Sequence, residues 1–302
     1  MRRVLAAVVV ATPLLFSSLA CNLTSQSRVD SIHRMNEGIK QLKKGNYSGA
    51  EMGLKEAIQL DPSHGLAHSN LGKLYRKQGK WADAAAAYQA AIANMTESPN
   101  ASFHYELGIV TAAQGDAPGT ALSERDSKYR AAITSYQEAL KLNPKLYKAH
   151  YRAGVLHERL DEPKKADAAY RSAIGLNAKY SSSFVSLGNM YIDYGFANVA
   201  MAVLDTGVKV NDTDAAMWNG LGRAYLSLKQ APKAIDAFKK AHAIDPDMPD
   251  VLFGLGMAHA ELRQKVEATK NLEAFLKKAS AGVPEDTQKA ARDTLARMQD
   301  VI

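Results

Sequence analysis

A glycine recurs along this chain at a nearly constant interval. The intervals are 34, 36, 46, 34, 34 and 34 residues, and the glycines are Gly38, Gly72, Gly108, Gly154, Gly188, Gly222 and Gly256. The frame they share is, in its fullest copies, a large residue, a Leu-Gly pair and a tyrosine, followed by an alanine and then a large residue; the first copy has Glu37 and Gln41 in place of the Leu and the Tyr. A fixed period of this length is the signature of a repeat architecture. The 302-residue chain is therefore expected to contain one small unit copied seven times.

Two helices per copy follow from the spacing of the apolar residues. These residues recur at intervals of three and four, which places them on one helical face. A small residue on each helix allows close approach, and a large residue four positions later lies beside it. Asp-Pro or Asn-Pro ends copies at Pro62, Pro144 and Pro246, because proline restricts the residue before it. The small residues of the second helices are Ala50, Ala84, Ala132, Ala166, Ala200, Ala234 and Ala268.

The frame resembles that of the tetratricopeptide repeat (TPR) family over residues 31–282. The resemblance implies an all-α solenoid of about seven helix-turn-helix repeats, in which each hairpin stacks on its neighbours. Residues 283–302 are predicted to form a capping helix, because Pro284, Glu285 and Asp286 are typical of a helix start. Its expected apolar residues are Ala290, Leu295 and Met298.

The third repeat is about twelve residues longer than the others. The extra residues fall within 112–128, a stretch rich in Gly, Pro, Asp and Ser. Such a composition predicts a loop. Two roles stay open for it: a neutral surface insertion or a loop that contacts a partner.

The N-terminus has the order of a secretory signal peptide. Arg2 and Arg3 precede an apolar stretch over 4–20, and the chain's single cysteine, Cys21, follows. This stretch is shorter than the ~20 residues of a membrane-spanning helix. We predict a signal peptide over 1–20 and a lipid-anchored tether over 21–30. Cleavage by ordinary signal peptidase remains an alternative.

Cys21 lies where residues 18–21 resemble the lipobox of bacterial lipoproteins, although Ser18 replaces the usual Leu. That resemblance implies lipidation of Cys21. The residue after it, Asn22, implies sorting to the outer membrane, with the protein on the periplasmic face. The alternative location is the soluble periplasm.

Charge and motifs exclude several functions. The net charge is +7, or +5 without the predicted signal peptide, and it is spread along the chain. It favours anionic partners but indicates no nucleic-acid site. No metalloprotease, phosphate-loop or serine-hydrolase motif is present, so we expect no enzyme activity, cofactor or metal. His64, His68, His150 and His157 are interpreted as packing or turn residues, and the carboxylates of 245–250 as turn residues.

A concave groove is the predicted binding surface, because the family resemblance assigns its lining to the first helix of each repeat. Cations and amides there suit a protein or extended peptide. The predicted polar lining is Lys73, Arg76, Lys77, Lys148, Arg152, Arg159, Asn189, Asn219 and Arg223, with Asn36 and Asn70 nearby. Its predicted aromatic lining is Tyr105, Tyr151 and Phe253. The family's carboxylate clamp is matched only by Lys148 and Arg152, and Glu106 replaces an asparagine of that clamp.

Three functions follow from these expectations. The first is a non-enzymatic scaffold, anchored in the bacterial envelope by its lipid, that helps assemble a machine such as a type IV pilus or secretion system. The second is an adaptor for peptidoglycan hydrolases or proteases, and the third a subunit of a glycan-modifying enzyme complex. A purely structural spacer is a further alternative. The sequence does not determine the oligomeric state.

Overall fold

The computed structural model describes residues 14–94, 100–279 and 282–299, with the backbone alone for 14–25 and 299. This part of the chain contains fifteen α-helices and no strand, so the predicted all-α repeat fold is confirmed. The helices are α1 (Leu14–Lys43), α2 (Tyr47–Leu60), α3 (Gly65–Lys77), α4 (Trp81–Ala93), α5 (Ala101–Gly115), α6 (Leu122–Leu142), α7 (Tyr147–Arg159), α8 (Pro163–Leu176), α9 (Ser181–Asp193), α10 (Ala197–Val210), α11 (Ala215–Ser227), α12 (Ala231–Ile244), α13 (Pro249–Glu261), α14 (Lys265–Lys278) and α15 (Glu285–Gln299). None of these helices, over the described residues, combines the length and apolarity needed to cross a membrane.

The helices form two compact units. Unit 1, residues 1–143, contains three hairpins, α1–α2, α3–α4 and α5–α6. Unit 2, residues 144–302, contains four hairpins, from α7–α8 to α13–α14, followed by α15. Within each unit, the second helix of a hairpin packs against the first helix of the next. This nearest-neighbour packing is that of a repeat protein.

The recurring glycines are contact points between the two helices of a hairpin. A Cβ added to Gly154 would lie 2.7 Å from the ring of Tyr170, and one added to Gly222 would lie 2.6 Å from the ring of Phe238. The large partner residues are almost completely inaccessible to solvent, including Tyr88, Tyr136, Tyr170, Leu204, Phe238 and Leu272. The recurring glycines therefore mark where the backbone of the first helix touches a large side chain, aromatic or leucine, of the second.

The first repeat extends further toward the N-terminus than residue 31. The Ser27 hydroxyl donates a hydrogen bond to the Leu60 carbonyl, and Arg28 lies 3.9 Å from the carboxylate of Asp61. Both contacts join α1 to the end of α2. The predicted signal peptide lies partly outside the described residues, and the side chain of Cys21 lies outside them, so cleavage and lipidation stay predictions.

The prediction of a loop over 112–128 was wrong. Helix α5 continues to Gly115 and α6 begins at Leu122, which leaves only 116–121 as a turn. Tyr129 donates a 2.5 Å hydrogen bond to Asp116, and Gln114 donates to the Trp81 carbonyl. The extra residues lengthen both helices of the hairpin, because Tyr129 and Ile133 bury apolar surface between them.

The capping helix α15 covers the last hairpin. Its buried residues are Ala291 and Thr294, and Ala291 packs in a cluster with Leu252, Leu272 and Phe275. Leu295 is partly buried in the same cluster. Leu295 thus lies on the buried face as predicted, and the fully buried alanine is Ala291, whereas Ala290 is partly buried.

Candidate functional site

First helices of neighbouring repeats contribute equivalent residues to one wall of unit 2. Asn189 on α9 and Arg223 on α11 are 34 residues apart, and Arg223 donates a 2.9 Å hydrogen bond to Asn189 Oδ1. The guanidinium also lies 3.5 Å from Asp193. Two predicted groove residues are therefore brought into direct contact. The planar guanidinium has further N–H groups that can meet a ligand.

Arg223 also lines a cavity of about 450 Å³. Phe253 lines the same cavity and packs against Phe275 at a centroid distance of 5.2 Å. Asp250 adds a carboxylate at the rim, and Leu226 an apolar surface. We call this surface the groove cavity; it combines a cation, an acid and an aromatic ring. Its volume is in the range of small-ligand and side-chain pockets.

Asn219 precedes Arg223 by one helical turn, on the same face of α11. Its side chain is buried, with 8% relative exposure, and its Oδ1 has no hydrogen-bond partner among the described residues. Buried polar atoms in proteins nearly always have a partner. Asn219 Oδ1 is thus a buried acceptor that no described residue satisfies, and it is closed to solvent in this conformation.

An aromatic cluster lies at the start of unit 2. The ring of Tyr151 stands edge-on to Tyr180 at 5.1 Å and tilted to Tyr170 at 5.9 Å. The Tyr170 hydroxyl donates a 2.7 Å hydrogen bond to Glu158. Burial raises the pKa of the Glu158 carboxyl, although this hydrogen bond opposes the rise. Tyr151 is thus mainly a packing residue with one partly exposed edge.

The predicted cations of α7 are exposed. Lys148 lies over the ring of Tyr147 at 5.9 Å, and Arg152 and Arg159 take part in polar contacts of their own.

The predicted groove residues of unit 1 form a different arrangement. Arg76 Nε lies 3.3 Å from the Glu106 carboxylate, which also accepts a 3.5 Å hydrogen bond from the Tyr88 hydroxyl. Burial raises the pKa of Tyr88 strongly. Lys73 and Lys77 are exposed, and Tyr105 packs on Tyr136 at 5.9 Å. Of the three predicted groove cations of unit 1, Arg76 therefore pairs with a carboxylate, whereas Lys73 and Lys77 are exposed.

The asparagines of the first two repeats differ in their contacts. Asn70 donates to the Leu66 carbonyl of its own helix, and Asn36 is exposed. Unit 1 thus offers a more neutral wall than the residue types alone predict.

The histidines fasten turns. His157 Nδ1 lies 2.7 Å from Glu162, and His68 Nε2 lies 2.9 Å from the Pro62 carbonyl. His150 makes the equivalent contact with the Pro144 carbonyl at 3.4 Å. Trp218 uses its indole N–H in the same way on the Asp212 carbonyl. These contacts explain the histidines without a metal, and the described residues hold no group of three potential metal ligands.

His64 is a buried turn residue. Its Nδ1 lies 2.7 Å from the Ser31 hydroxyl, which donates to the Ala57 carbonyl. Burial lowers the pKa of His64.

Sequence reasoning missed the acidic partners of this wall: Asp193, Asp250 and Glu158. A signal existed, because Asp193 precedes Arg223 by 30 residues, one repeat less one helical turn, and such residues lie side by side on adjacent first helices. The prediction considered the cations alone and did not include the acidic residue that lies 30 positions before Arg223 on the preceding first helix.

Comparisons with known proteins agree with this architecture. The chain matches the tetratricopeptide repeat over residues 35–102, 70–121, 147–180 and 215–248, and a TPR repeat over 127–161. No curated protein matches it significantly.

Many solved structures are similar to this chain, and three illustrate the shared fold. A tetratricopeptide repeat protein from Parabacteroides merdae is 16% identical with a TM-score of 0.59, over 90% of this chain and 99% of its own. PilW, a widely conserved type IV pilus biogenesis factor, is 15% identical with a TM-score of 0.56, over 73% of this chain and 96% of its own. YrrB, a TPR protein with an unusual peptide-binding site, is 20% identical with a TM-score of 0.50, over 66% of this chain and 95% of its own.

The repeat period, the stacked hairpins and these matches, which together include more than half of the chain, lead to one conclusion. The protein belongs to the tetratricopeptide repeat family, whose members typically act as non-enzymatic scaffolds for protein interactions.

Proposed function

We propose that this protein is a lipid-anchored scaffold of the bacterial envelope that binds an extended segment of a partner protein on the first-helix wall of unit 2. The observation that carries the proposal is the groove cavity, which Arg223 of α11 and Phe253 of α13 line together. It combines a guanidinium, held by its hydrogen bond to Asn189 Oδ1, with an aromatic ring.

An extended peptide satisfies these groups together. A backbone carbonyl would accept a hydrogen bond from Arg223, and a backbone N–H would donate to the carboxylate of Asp250. An apolar side chain would occupy the groove cavity against Phe253. Main-chain contacts then supply affinity and the cavity supplies selectivity, as in other peptide-binding proteins.

The envelope location rests on the sequence alone. The order of a basic N-terminus, an apolar stretch and a single cysteine supports export and lipidation at Cys21. Tethering would confine the scaffold to the periplasmic face of the outer membrane.

Assembly of an envelope machine is the favoured role. It is supported by the fold shared with PilW, which is a type IV pilus biogenesis factor. At 15% identity this likeness shows the fold alone, so a pilus or secretion-system partner is part of the proposal.

The test is crosslinking of the tagged protein in cell envelopes, followed by mass spectrometry. Arg223→Gln and Arg223→Glu should reduce recovery of the partner, because both remove the guanidinium. Lys239→Glu is the matched control, since Lys239 is exposed on α12 and away from the groove cavity. Circular dichroism of each variant checks that the helices persist.

A second comparison tests the anchor. Cys21→Ser should release the protein from membranes and reduce recovery of a membrane-assembled partner. Equal recovery from Arg223→Glu and Lys239→Glu would exclude the groove. Recovery of hydrolases or proteases irrespective of Cys21→Ser would replace the assembly role by the adaptor role.

A further inference from the structure

A second cavity in unit 2 lies between the ends of α11 and α13, the start of α14 and the capping helix α15. Its volume is about 1010 Å³. The floor includes Leu226, Met257 and Met298, and methionine side chains adapt to varied apolar partners. Around the floor are four cations and one acid: Lys229, Arg263, Lys265, Arg297 and Glu261. We call this surface the cap cavity.

The cations of the cap cavity are poorly satisfied within the protein. Lys229 is 81% exposed, and its Nζ lies 3.9 Å from Glu261. Arg297 donates to the hydroxyl of Thr294, which is uncharged. In the described residues the side chains of Arg263 and Lys265 have no ion pair or hydrogen bond. The cavity therefore carries an excess positive charge above an apolar floor.

The backbone holds two of these cations in a disfavoured conformation. Lys229 and Arg263 have φ of 60° and 58°, in the left-handed region, at the turn between the two helices of their repeats. The equivalent turns of other repeats use Gly45, Gly79 and Gly195. Glycine adopts this conformation without steric cost, whereas Lys and Arg do not.

A third side chain in this conformation provides a contrast. Asp161, with φ of 53°, occupies the equivalent turn of the fourth repeat. Aspartate tolerates this region better, and Asp161 accepts a 2.5 Å hydrogen bond from the Tyr194 hydroxyl. Lys229 and Arg263 have no comparable internal contact. Strained backbone positions of this kind cluster at binding sites.

We propose that the cap cavity binds an acidic amphipathic peptide segment of a partner protein. Carboxylates would meet Lys229, Arg263, Lys265 and Arg297, and an apolar side chain would contact Met257 and Met298. A guanidinium binds a carboxylate through two parallel hydrogen bonds, which suits Arg263 to this role. The proposal rests on the proposed scaffold function and adds the charge and polarity of the ligand.

Three synthetic peptides test the ligand chemistry by fluorescence anisotropy with the full mature chain. The first alternates Glu and Asp with Leu and Phe, the second replaces Leu and Phe by Ser, and the third replaces the acids by Lys. The first should bind at least about tenfold more tightly than the others, and its affinity should fall as salt rises. Equal binding of the acidic and basic peptides would overturn the proposal.

The double variant Lys229→Gly with Arg263→Gly separates binding from folding. Binding of the first peptide should weaken by about tenfold, on the basis of a few-fold per exposed charge. The melting temperature should rise, because glycine relieves both turns. Asp161→Gly is the matched control: it changes an equivalent turn outside the cap cavity and should leave binding unchanged.

Other outcomes have definite meanings. Unchanged binding of the peptide by the double variant would overturn the cap cavity proposal and leave the groove proposal intact. The same conclusion would follow if Arg223→Gln in the groove, and not the double variant, abolished peptide binding. Binding to phosphatidylglycerol vesicles that is lost in the double variant, without peptide binding, would identify a lipid surface as the ligand and overturn the peptide. Loss of a dimer in sedimentation of the double variant, again without peptide binding, would identify a second copy of the chain instead.

Discussion

The ring of Phe238 lies between two glycines, and this arrangement predicts the effect of adding one methyl group. A Cβ at Gly222 would lie 2.6 Å from ring carbons Cδ1 and Cε1, and a Cβ at Gly254 would lie 2.5 Å from Cε1. Phe238 is completely buried, so its ring has no free space into which to move. In Gly222→Ala the added atom must displace the ring or the helix.

The magnitude follows from two opposing effects. Overpacking a dense core costs about 1–3 kcal/mol, and we expect the upper part of that range because Phe238 is enclosed. Replacing a mid-helix glycine by alanine stabilises a helix by about 1 kcal/mol. Gly222→Ala should therefore lower the free energy of unfolding by about 1–2 kcal/mol.

A second glycine provides the control. Gly175 lies within α8, is exposed, and has nothing within 4 Å of an added Cβ. Gly175→Ala should raise stability by about 0.5–1 kcal/mol. Urea unfolding followed by Trp218 fluorescence, in a Trp81→Phe background, measures unit 2, since Trp218 is then the sole tryptophan of the chain. If Gly222→Ala proved as stabilising as Gly175→Ala, the argument that the glycine period marks helix contacts would fail.

Three further predictions concern named side chains. Burial lowers the pKa of His64, so on acidification the unfolded chain binds this proton before the folded chain does. The free energy of unfolding should therefore be highest above the ordinary histidine pKa and fall as the pH drops below about 6.5. His64→Gln should reduce that fall when unfolding by urea is measured at a series of pH values. Burial raises the pKa of Glu158, so the contribution of this side chain to folding stability is full below the ordinary carboxyl pKa and is lost as the pH rises. Glu158→Gln should therefore stabilise the protein more at pH 7 than at pH 4. The opposite order would contradict this reasoning. Tyr129→Phe removes the hydrogen bond to Asp116 and should cost about 0.5–1.5 kcal/mol, measured by thermal unfolding, whereas no change would show that the lengthened hairpin does not depend on it.

The hairpins could be predicted from the sequence because every repeat carries the same pattern of small and large residues. Gly154 and Tyr170 meet because two helical faces carry complementary small and large residues at fixed spacing, and seven copies make the spacing visible. The third repeat could not be predicted in the same way. Gly, Pro and Ser over 112–128 indicated a loop, but Tyr129 packs against Gly115 of α5 and is buried. That gain in buried area outweighs the local preference for a turn.

The family resemblance assigned Arg223 and Asn189 to one wall, but it did not give their pairing. The sequence did not show that Asn189 accepts a hydrogen bond from Arg223 or that Glu106 holds Arg76. Those pairs depend on side-chain rotamers and on the exact approach of adjacent helices. The cap cavity was also missed, because it requires α15 to lie over the ends of α11 and α13, and no periodic pattern places a helix outside the repeat.

The most direct test of the scaffold account is site-specific photo-crosslinking in cell envelopes. A photoreactive amino acid at Ser227, an exposed residue that lines the groove cavity, is compared with the same amino acid at Lys239 on the exposed face of α12. The account predicts a discrete adduct with a partner protein from position 227 and none from 239. Adducts from position 239 alone would show that the partner binds the outer helices and would contradict the proposed binding wall.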